Sequence, residues 1–205
     1  MKVQKNTIPQ MVLTLKAGKG TINIMATLLQ RGFVQPISGA ISIADLLTAL
    51  PGFSSDYVRD RVQTIFVNGL AEDNIHRQLV AGDTLALSAA MPGLAGAIFR
   101  RGGQHASLRT RPVASAKGQG DQSGQITLKL FNMIATETGS QLLETGLLVR
   151  GAVLARFFDR QAERMLPLII RAELEGVCVK PEQLAAVTGK YGLLFVQIQS
   201  QLKTV

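Results

Sequence analysis

This chain has few of the side chains that most often perform chemistry: its 205 residues include one cysteine, two histidines and no tryptophan. The single cysteine, Cys178, excludes a disulfide within the chain and a cysteine-cluster metal site. Because it lies between Val177 and Val179, we predict that it is a small buried core residue and not a nucleophile. His76 and His105 are far apart in the sequence, so we expect both in loops and predict no metal site and no cofactor.

Long hydrophobic runs are also missing, although 46% of the residues are hydrophobic. The longest runs, such as 166–170 and 192–196, are far shorter than the roughly 20 residues that a transmembrane helix needs. The N-terminus carries Lys2 and Lys5 without the apolar stretch that follows them in a signal peptide. We therefore expect a globular, cytoplasmic protein with a sizeable core and no contact with a membrane.

Acidic residues are in the minority, with 14 Asp and Glu against 22 Lys and Arg, for a formal net charge of +8. Half of this excess lies in residues 99–123, which are also rich in Gly, Ser and Gln. We predict a basic flexible linker over 99–124 that separates a domain at 1–98 from a domain at 125–205. Its candidate contacts for an anionic partner are Arg100, Arg101, Arg109 and Arg111.

The first domain shows the alternation that is typical of strands. The segments MVLTLKA at 11–17 and TINIMATLL at 21–29, joined by a Gly-rich turn, predict a hairpin. Ser42 can cap a following helix, which Pro51 ends. The apolar residues of this helix recur at helical spacing and are Ile43, Leu46, Leu47 and Leu50.

Two further strands are predicted in the first domain, around IFV at 65–67 and in TLALSA at 84–89. Asn68 and Gly69 end the first of these and form the strongest short signal for a hairpin turn. Gly82 and Asp83 supply the turn before the second strand, since glycine accepts a positive φ and aspartate can bond its own turn amides.

This order of segments resembles the β-grasp sulfur carriers, the small ubiquitin-like proteins of molybdopterin and thiamine synthesis. The resemblance covers residues 21–96 and implies a ubiquitin-like β-grasp fold for the domain at 1–98. The residues that carry it are Asn68, Gly69, Leu79, Gly82, Asp83, Leu85, Leu87, Pro92 and Gly93.

In those carriers a free C-terminal Gly-Gly is adenylated and then converted to a thiocarboxylate. This chain departs from that pattern because its tail position reads PGLAG at 92–96. Its one glycine pair after that position, Gly102 and Gly103, is internal and comes some ten residues late. The resemblance therefore implies carrier chemistry only if the chain is cleaved after Gly103.

The second domain is predicted to be rich in helix. Residues 125–135 fit either a strand, with Ile126, Leu128 and Leu130 on one face, or the first turns of a helix. A helical period runs from about 139 to 166 and ends at Pro167, and Pro181 begins a further helix. Residues 193–203 again fit a strand or a helix. We expect this domain to mediate self-association.

The fold class predicted for the whole chain is α+β, and neither domain presents a catalytic constellation. We therefore interpret the protein as a non-enzymatic interaction or scaffold protein whose partner is another protein. Two alternatives stay open. One is a sulfur-carrier or conjugation-tag precursor that is cleaved after Gly103, and the other is a weak nucleic-acid binder that uses the basic linker.

Overall fold

The computed structural model describes residues 8–16, 19–109 and 123–201. These ranges contain both helices and strands, which confirms a mixed α/β architecture consistent with the predicted α+β class. The strands are β1 Gln10–Lys16, β2 Phe33–Ile37, β3 Ile41–Ser42, β4 Thr64–Val67, β5 Leu70–Ala71, β6 Gln78–Leu79, β7 Thr84–Ser88, β8 Gly124–Phe131, β9 Leu147–Arg150, β10 Ile169–Leu174, β11 Val177–Cys178 and β12 Leu193–Gln201. The α-helices are α1 Lys19–Arg31, α2 Ile43–Thr48, α3 Ser55–Asp60, α4 Gly93–Phe99, α5 Asn132–Thr145, α6 Gly151–Met165 and α7 Leu184–Thr188.

The chain divides into two compact units. The central unit is Leu29–Leu142, and the terminal unit is built from both ends of the chain, Met1–Leu28 and Leu143–Val205. The predicted boundary at 99–124 does not separate these units, because β8, which follows it, pairs with β2 and with β7. Long-range strand pairing, and not the composition of a connecting segment, decides where each unit begins and ends.

The sheet of the central unit has the order β2-β8-β7-β4-β5. Strands β7 and β8 are parallel at its centre, and every other pair is antiparallel. Alternation places Ile126, Leu128 and Leu130 of β8 in the core, where each is fully buried, so residues 124–131 form a strand and not the first turns of a helix. Two short strands, β3 and β6, pair separately.

The sheet of the terminal unit has the order β9-β12-β1-β10-β11. Here β1 and β12 are parallel at the centre, and the flanking pairs are antiparallel. Strand for strand, the sense of each pairing is therefore the same as in the central sheet. Strand β12 resolves the second open alternative: residues 193–201 form a strand, and residues 193–198 alternate between half-buried and buried positions.

The predicted hairpin at 11–29 is wrong in its second arm, because residues 19–31 form helix α1. The apparent alternation around Ile24 concealed a helical face: Ile24, Met25, Leu28 and Leu29 are buried and recur at the spacing of helix turns. The first arm is correct and forms β1.

The predicted continuous helix from 139 to 166 is interrupted. Helix α5 ends at Thr145, Gly146 adopts a φ of 101°, and Leu147 and Leu148 belong to strand β9 before α6 begins. Glycine is needed at this break because a Cβ at position 146 would overlap the ring of Phe195. Helix α6 ends at Met165, two residues before Pro167, as predicted.

Two smaller expectations have opposite outcomes. Cys178 is exposed in the edge strand β11, so the prediction that it is a core residue is wrong. A β-branched neighbour on each side does not bury a residue when the strand has a partner on one side only. His76 and His105 lie in loops, as predicted.

In the described ranges, no helix has both the length and the apolar composition to cross a bilayer.

Candidate functional site: a trough on the open face of the central sheet

The two faces of the central sheet differ sharply in burial. Leu85 and Leu87 of β7 point into the core and are at most 1% exposed. Thr84 and Ala86, which alternate with these leucines along β7, point to the opposite face and are half-buried. On β8 the same alternation places Thr127, Lys129 and Phe131 on this second face, which we call the open face.

The strand register determines which side chains are neighbours on the open face. Ala86 of β7 lies between Phe66 of β4 and Lys129 of β8. In the next outward-facing row, Ser88 lies between Thr64 and Phe131. Ala86 on the central strand, flanked by the longer side chains of Phe66 and Lys129, leaves a depression along β7.

This depression is a cavity of about 400 Å³, which we call the trough. Its volume falls within the range of ligand pockets, roughly 300–1,000 Å³. Its lining is mainly apolar and includes Phe66, Ala86, Met91, Lys129, Phe131 and Asn132. The arrangement is suited to receive an apolar group, with a small number of polar atoms to orient it.

One end of the trough is fixed by Asn132, the residue at which β8 changes into α5. Its backbone has a φ of 51°, a conformation that asparagine tolerates better than most residues. Its side-chain Nδ2 donates a hydrogen bond of 2.9 Å to the Ser88 Oγ. The Ser88 hydroxyl accepts this bond and can still donate its own proton.

The other end lies at the predicted turn of Asn68 and Gly69, which is confirmed with φ values of 53° and 81°. The Asn68 Nδ2 donates to the Asp83 Oδ1 at 2.7 Å, and its Oδ1 accepts from the Thr84 backbone N–H at 2.8 Å. The second oxygen of Asp83 accepts from the Val80 N–H at 2.9 Å. These bonds tie the turn to the start of β7 and occupy both carboxylate oxygens of Asp83.

Helix α4 packs against Phe66, one of the residues that line the trough. The ring of Phe99, its last residue, packs against that of Phe66 with centroids 5.3 Å apart. Gly96 is buried in the helix, and a Cβ there would overlap the Met91 carbonyl oxygen. The PGLAG segment, which the resemblance placed at the tail, thus begins a packed helix in this structure.

The predicted anion-binding arginines have different surroundings. Arg101 donates through Nη2 to the Arg59 carbonyl at 2.9 Å, and its backbone N–H donates to the Gln63 carbonyl at 2.7 Å. Arg109 donates to the Ile98 carbonyl and to Asp73, both at 2.7 Å, and its side chain is 10% exposed. Both side chains therefore hold the chain on the central unit. Arg100 is exposed, and Arg111 lies outside the described residues.

The glycine pair at 102 and 103 occupies a hydrogen-bonded turn. Gly102 has a φ of 65°, and the Gly103 N–H donates to the Arg100 carbonyl at 2.9 Å. A Cβ at position 103 would lie 2.8 Å from that same oxygen. The first part of the predicted linker, up to Arg109, is thus folded, and the part at 110–122 lies outside the described residues.

A polar cluster away from the trough joins α3 to α5. The Tyr57 hydroxyl donates to Glu137 at 2.7 Å, and Arg61 forms an ion pair with the same carboxylate. The hydrogen bond from Arg61 holds the pKa of Glu137 below its ordinary value. Burial, and then the Glu137 hydrogen bond, raises the pKa of Tyr57. This cluster stabilises helix packing and does not face the trough.

The trough itself was missed in the sequence, although Phe66 is an outward-facing aromatic on a short strand and signals an unusual surface. Lys129 and Phe131 could not be assigned to the trough from the sequence, because they lie on β8, which pairs with β7 across the intervening segment at 99–123. Among the described residues, no group of histidine, cysteine or carboxylate side chains is arranged to hold a metal ion. No family model, curated protein or solved structure matches this chain.

Proposed function

We propose that this protein is a non-enzymatic interaction protein whose central unit is related to the β-grasp domains that the sequence resembles. A β-grasp sheet has its first and last strands parallel at the centre, with the hairpin partner of the first strand on one side and the third strand on the other. In the central unit, β7 is in the place of the last strand. Strand β8 is in the place of the first strand, although it follows β7 in the chain. The parallel pair at the centre of the sheet supports the resemblance, whereas the connection differs, because helix α5 follows β8 where a hairpin to the next strand is expected.

The trough is the observation that carries the interaction role. A sheet face that only meets water is normally polar, whereas this one exposes Phe66, Met91 and Phe131 around a shared depression. Apolar groups in such a depression stabilise a complex when a partner covers them, because water leaves their surface. The proposed partner is another protein that docks on the open face.

A pair of matched substitutions tests this role. Ala86→Phe adds a phenyl group to the floor of the trough, and Thr14→Phe adds the same group to an outward-facing, half-buried position of the terminal sheet. Both variants should keep the thermal unfolding profile of the parent. Proteins that co-purify with the tagged chain from its native cells are then quantified. We expect a partner that is lost with Ala86→Phe and retained with Thr14→Phe, and equal recovery with both variants would contradict the proposal.

The carrier-precursor alternative requires that a protease cleave the chain after Gly103. Cleavage after Gly103 must reach a bond in a turn that Arg101 and Arg109 hold against the central unit. Proteases cut exposed, extended segments most readily. The intact mass of the chain from its native cells tests this alternative, since a discrete species that ends at Gly103 supports it and full-length chain alone counts against it.

A further inference from the structure

Among the described residues that line the trough, Lys129 is the only one with a charged side chain. It lies beside Ala86, and no carboxylate is among the described residues that line the trough. The acidic residues of the neighbouring turns have other partners: Asp83 bonds Asn68, Glu72 pairs with Arg77, and Asp73 pairs with Arg109. In the described part of the chain, no ion pair includes the Lys129 ammonium.

The backbone next to Lys129 keeps this position open. Gly32 has a φ of 111°, and a Cβ there would lie 3.3 Å from the Lys129 Cγ and 3.0 Å from the Thr127 Cγ2. A side chain at position 32 would therefore crowd the stem of the lysine. Its absence lets the ammonium stay at the rim of the trough.

The remaining polar atoms of the trough include donors that suit an anion. The Ser88 hydroxyl accepts from Asn132 and so has its proton available, and the Thr84 hydroxyl lies on the same face of β7. Lys129 lies beside Ala86 on the neighbouring strand β8, and Ser88 lies two residues further along β7. A carboxylate is the common protein group that accepts from all of these donors and neutralises the ammonium.

The shape of the trough favours a segment of a partner protein over a free small molecule. Small-molecule pockets bury most of the surface of their ligand. Here the side chains of Phe66, Ala86 and Phe131 are all only partly buried, so an occupant keeps one side toward solvent. A side chain that projects from a partner backbone satisfies this geometry, because the backbone takes the solvent side.

From these features we propose that the trough binds a partner segment in which a bulky apolar side chain stands next to an acidic residue. The apolar side chain lies over Ala86, between Phe66 and Phe131, and the carboxylate pairs with Lys129. The overall charge of +8 favours the approach of such an acidic segment. This inference rests on the proposed function and specifies the chemistry of the partner.

Selection from a library of random displayed peptides tests the inference on the intact protein. Peptides are enriched on the parent chain after depletion on the Ala86→Phe variant, which removes sequences that bind elsewhere. We expect the enriched peptides to share an aromatic or large aliphatic residue beside Asp or Glu. Enrichment of apolar peptides without an acidic residue would overturn the inference and leave the proposed function standing. Failure to enrich any sequence that distinguishes the two proteins would count against both.

A double-mutant cycle then tests the pairing itself with one enriched peptide. Lys129→Gln should weaken binding about three- to tenfold, as expected for a half-buried charge pair. Replacing the peptide's acidic residue by its amide should weaken binding equally, and the two changes together should add little. Lys190→Gln, at an exposed lysine of the terminal unit, should leave binding unchanged. Additive losses, or equal losses with both lysine variants, would show that Lys129 does not hold the carboxylate.

Discussion

The two sheets of this protein share one strand order but present different chemistry to solvent. On the open face of the central sheet, Phe66, Ala86 and Lys129 lie side by side. The corresponding outward row of the terminal sheet places Thr14 between Arg171 and Gln199. Arg171 pairs there with Glu173 of the same strand, and a groove of about 610 Å³ between these polar side chains is open to water.

The inward rows of the two sheets are, in contrast, alike. Leu13 of the terminal sheet lies between Ala172 and Ile198, and Leu85 of the central sheet lies between Val67 and Leu128. All of these side chains are buried. The two sheets thus share a strand order and an apolar core. Their outward side chains differ, and these side chains determine whether a face can bind a partner.

The largest expected effect is the loss of a core leucine from either sheet. Leu128→Ala and Leu13→Ala each remove a fully buried side chain, so each should lower the free energy of unfolding by about 2–5 kcal/mol. Denaturant titration of the full chain measures both. The matched outward variants Lys129→Ala and Thr14→Ala should cost less than about 1 kcal/mol. An outward variant as costly as the inward one would show that the assigned faces are wrong.

A smaller effect is expected at the turn glycines. Gly146→Ala in the terminal unit must place a Cβ on the Phe195 ring at a positive φ, so the loss should reach about 2–4 kcal/mol. Gly69→Ala in the central unit meets open space and should cost only the backbone strain, about 1 kcal/mol. Thermal unfolding of the two variants compares them. Equal losses would mean that the Phe195 ring moves aside without cost.

The Arg61 and Glu137 pair of the central unit should give a pH-dependent contribution. The folded protein lowers the pKa of Glu137, so the stabilisation is present above the unfolded value of about 4.3 and is lost as the pH falls through the folded value. Glu137→Gln should therefore unfold more easily than the parent at neutral pH, and the two should converge in acid. Denaturant titrations across the pH range measure this. A constant difference between the two proteins at every pH would contradict the assigned cause.

The smallest effect is expected at Cys178. Because this thiol is exposed at the edge of the terminal sheet, Cys178→Ser should change the free energy of unfolding by less than about 0.5 kcal/mol. In the folded parent the thiol should react with a colorimetric disulfide reagent nearly as fast as in denaturant. Slow reaction of the thiol in the folded protein would instead show that Cys178 is buried in the core, as its valine neighbours suggest.

Local features of the fold could be predicted from the sequence because their causes are local. Ser42 caps α2 by accepting a hydrogen bond from the Asp45 N–H at 3.1 Å, and Asn68 with Gly69 forms the turn that its dipeptide indicates. The predicted strand at 21–29 is wrong, because Ile22 and Ile24 alternate with polar residues over too short a window to distinguish a strand from a helix. The buried face became evident only over two helical turns.

The division into units and the trough could not be predicted, because both depend on pairings between distant segments. The terminal unit joins β1 to β10 and β12, more than a hundred residues away. In the same way Ala86 and Lys129 become neighbours only through the register of β7 with β8. Alternation indicates that a residue faces outward, but it does not say which outward residue of another strand lies beside it.

Site-specific photocrosslinking tests the central claim most directly. A photoreactive phenylalanine analogue replaces Phe131 on the open face in one protein and Gln199 on the terminal sheet in another, and both are irradiated in their native cells. The account predicts a discrete crosslinked partner at position 131 that disappears when Ala86→Phe is added, and none at position 199. The same crosslinked species at both positions, or one at 131 that survives Ala86→Phe, would contradict it.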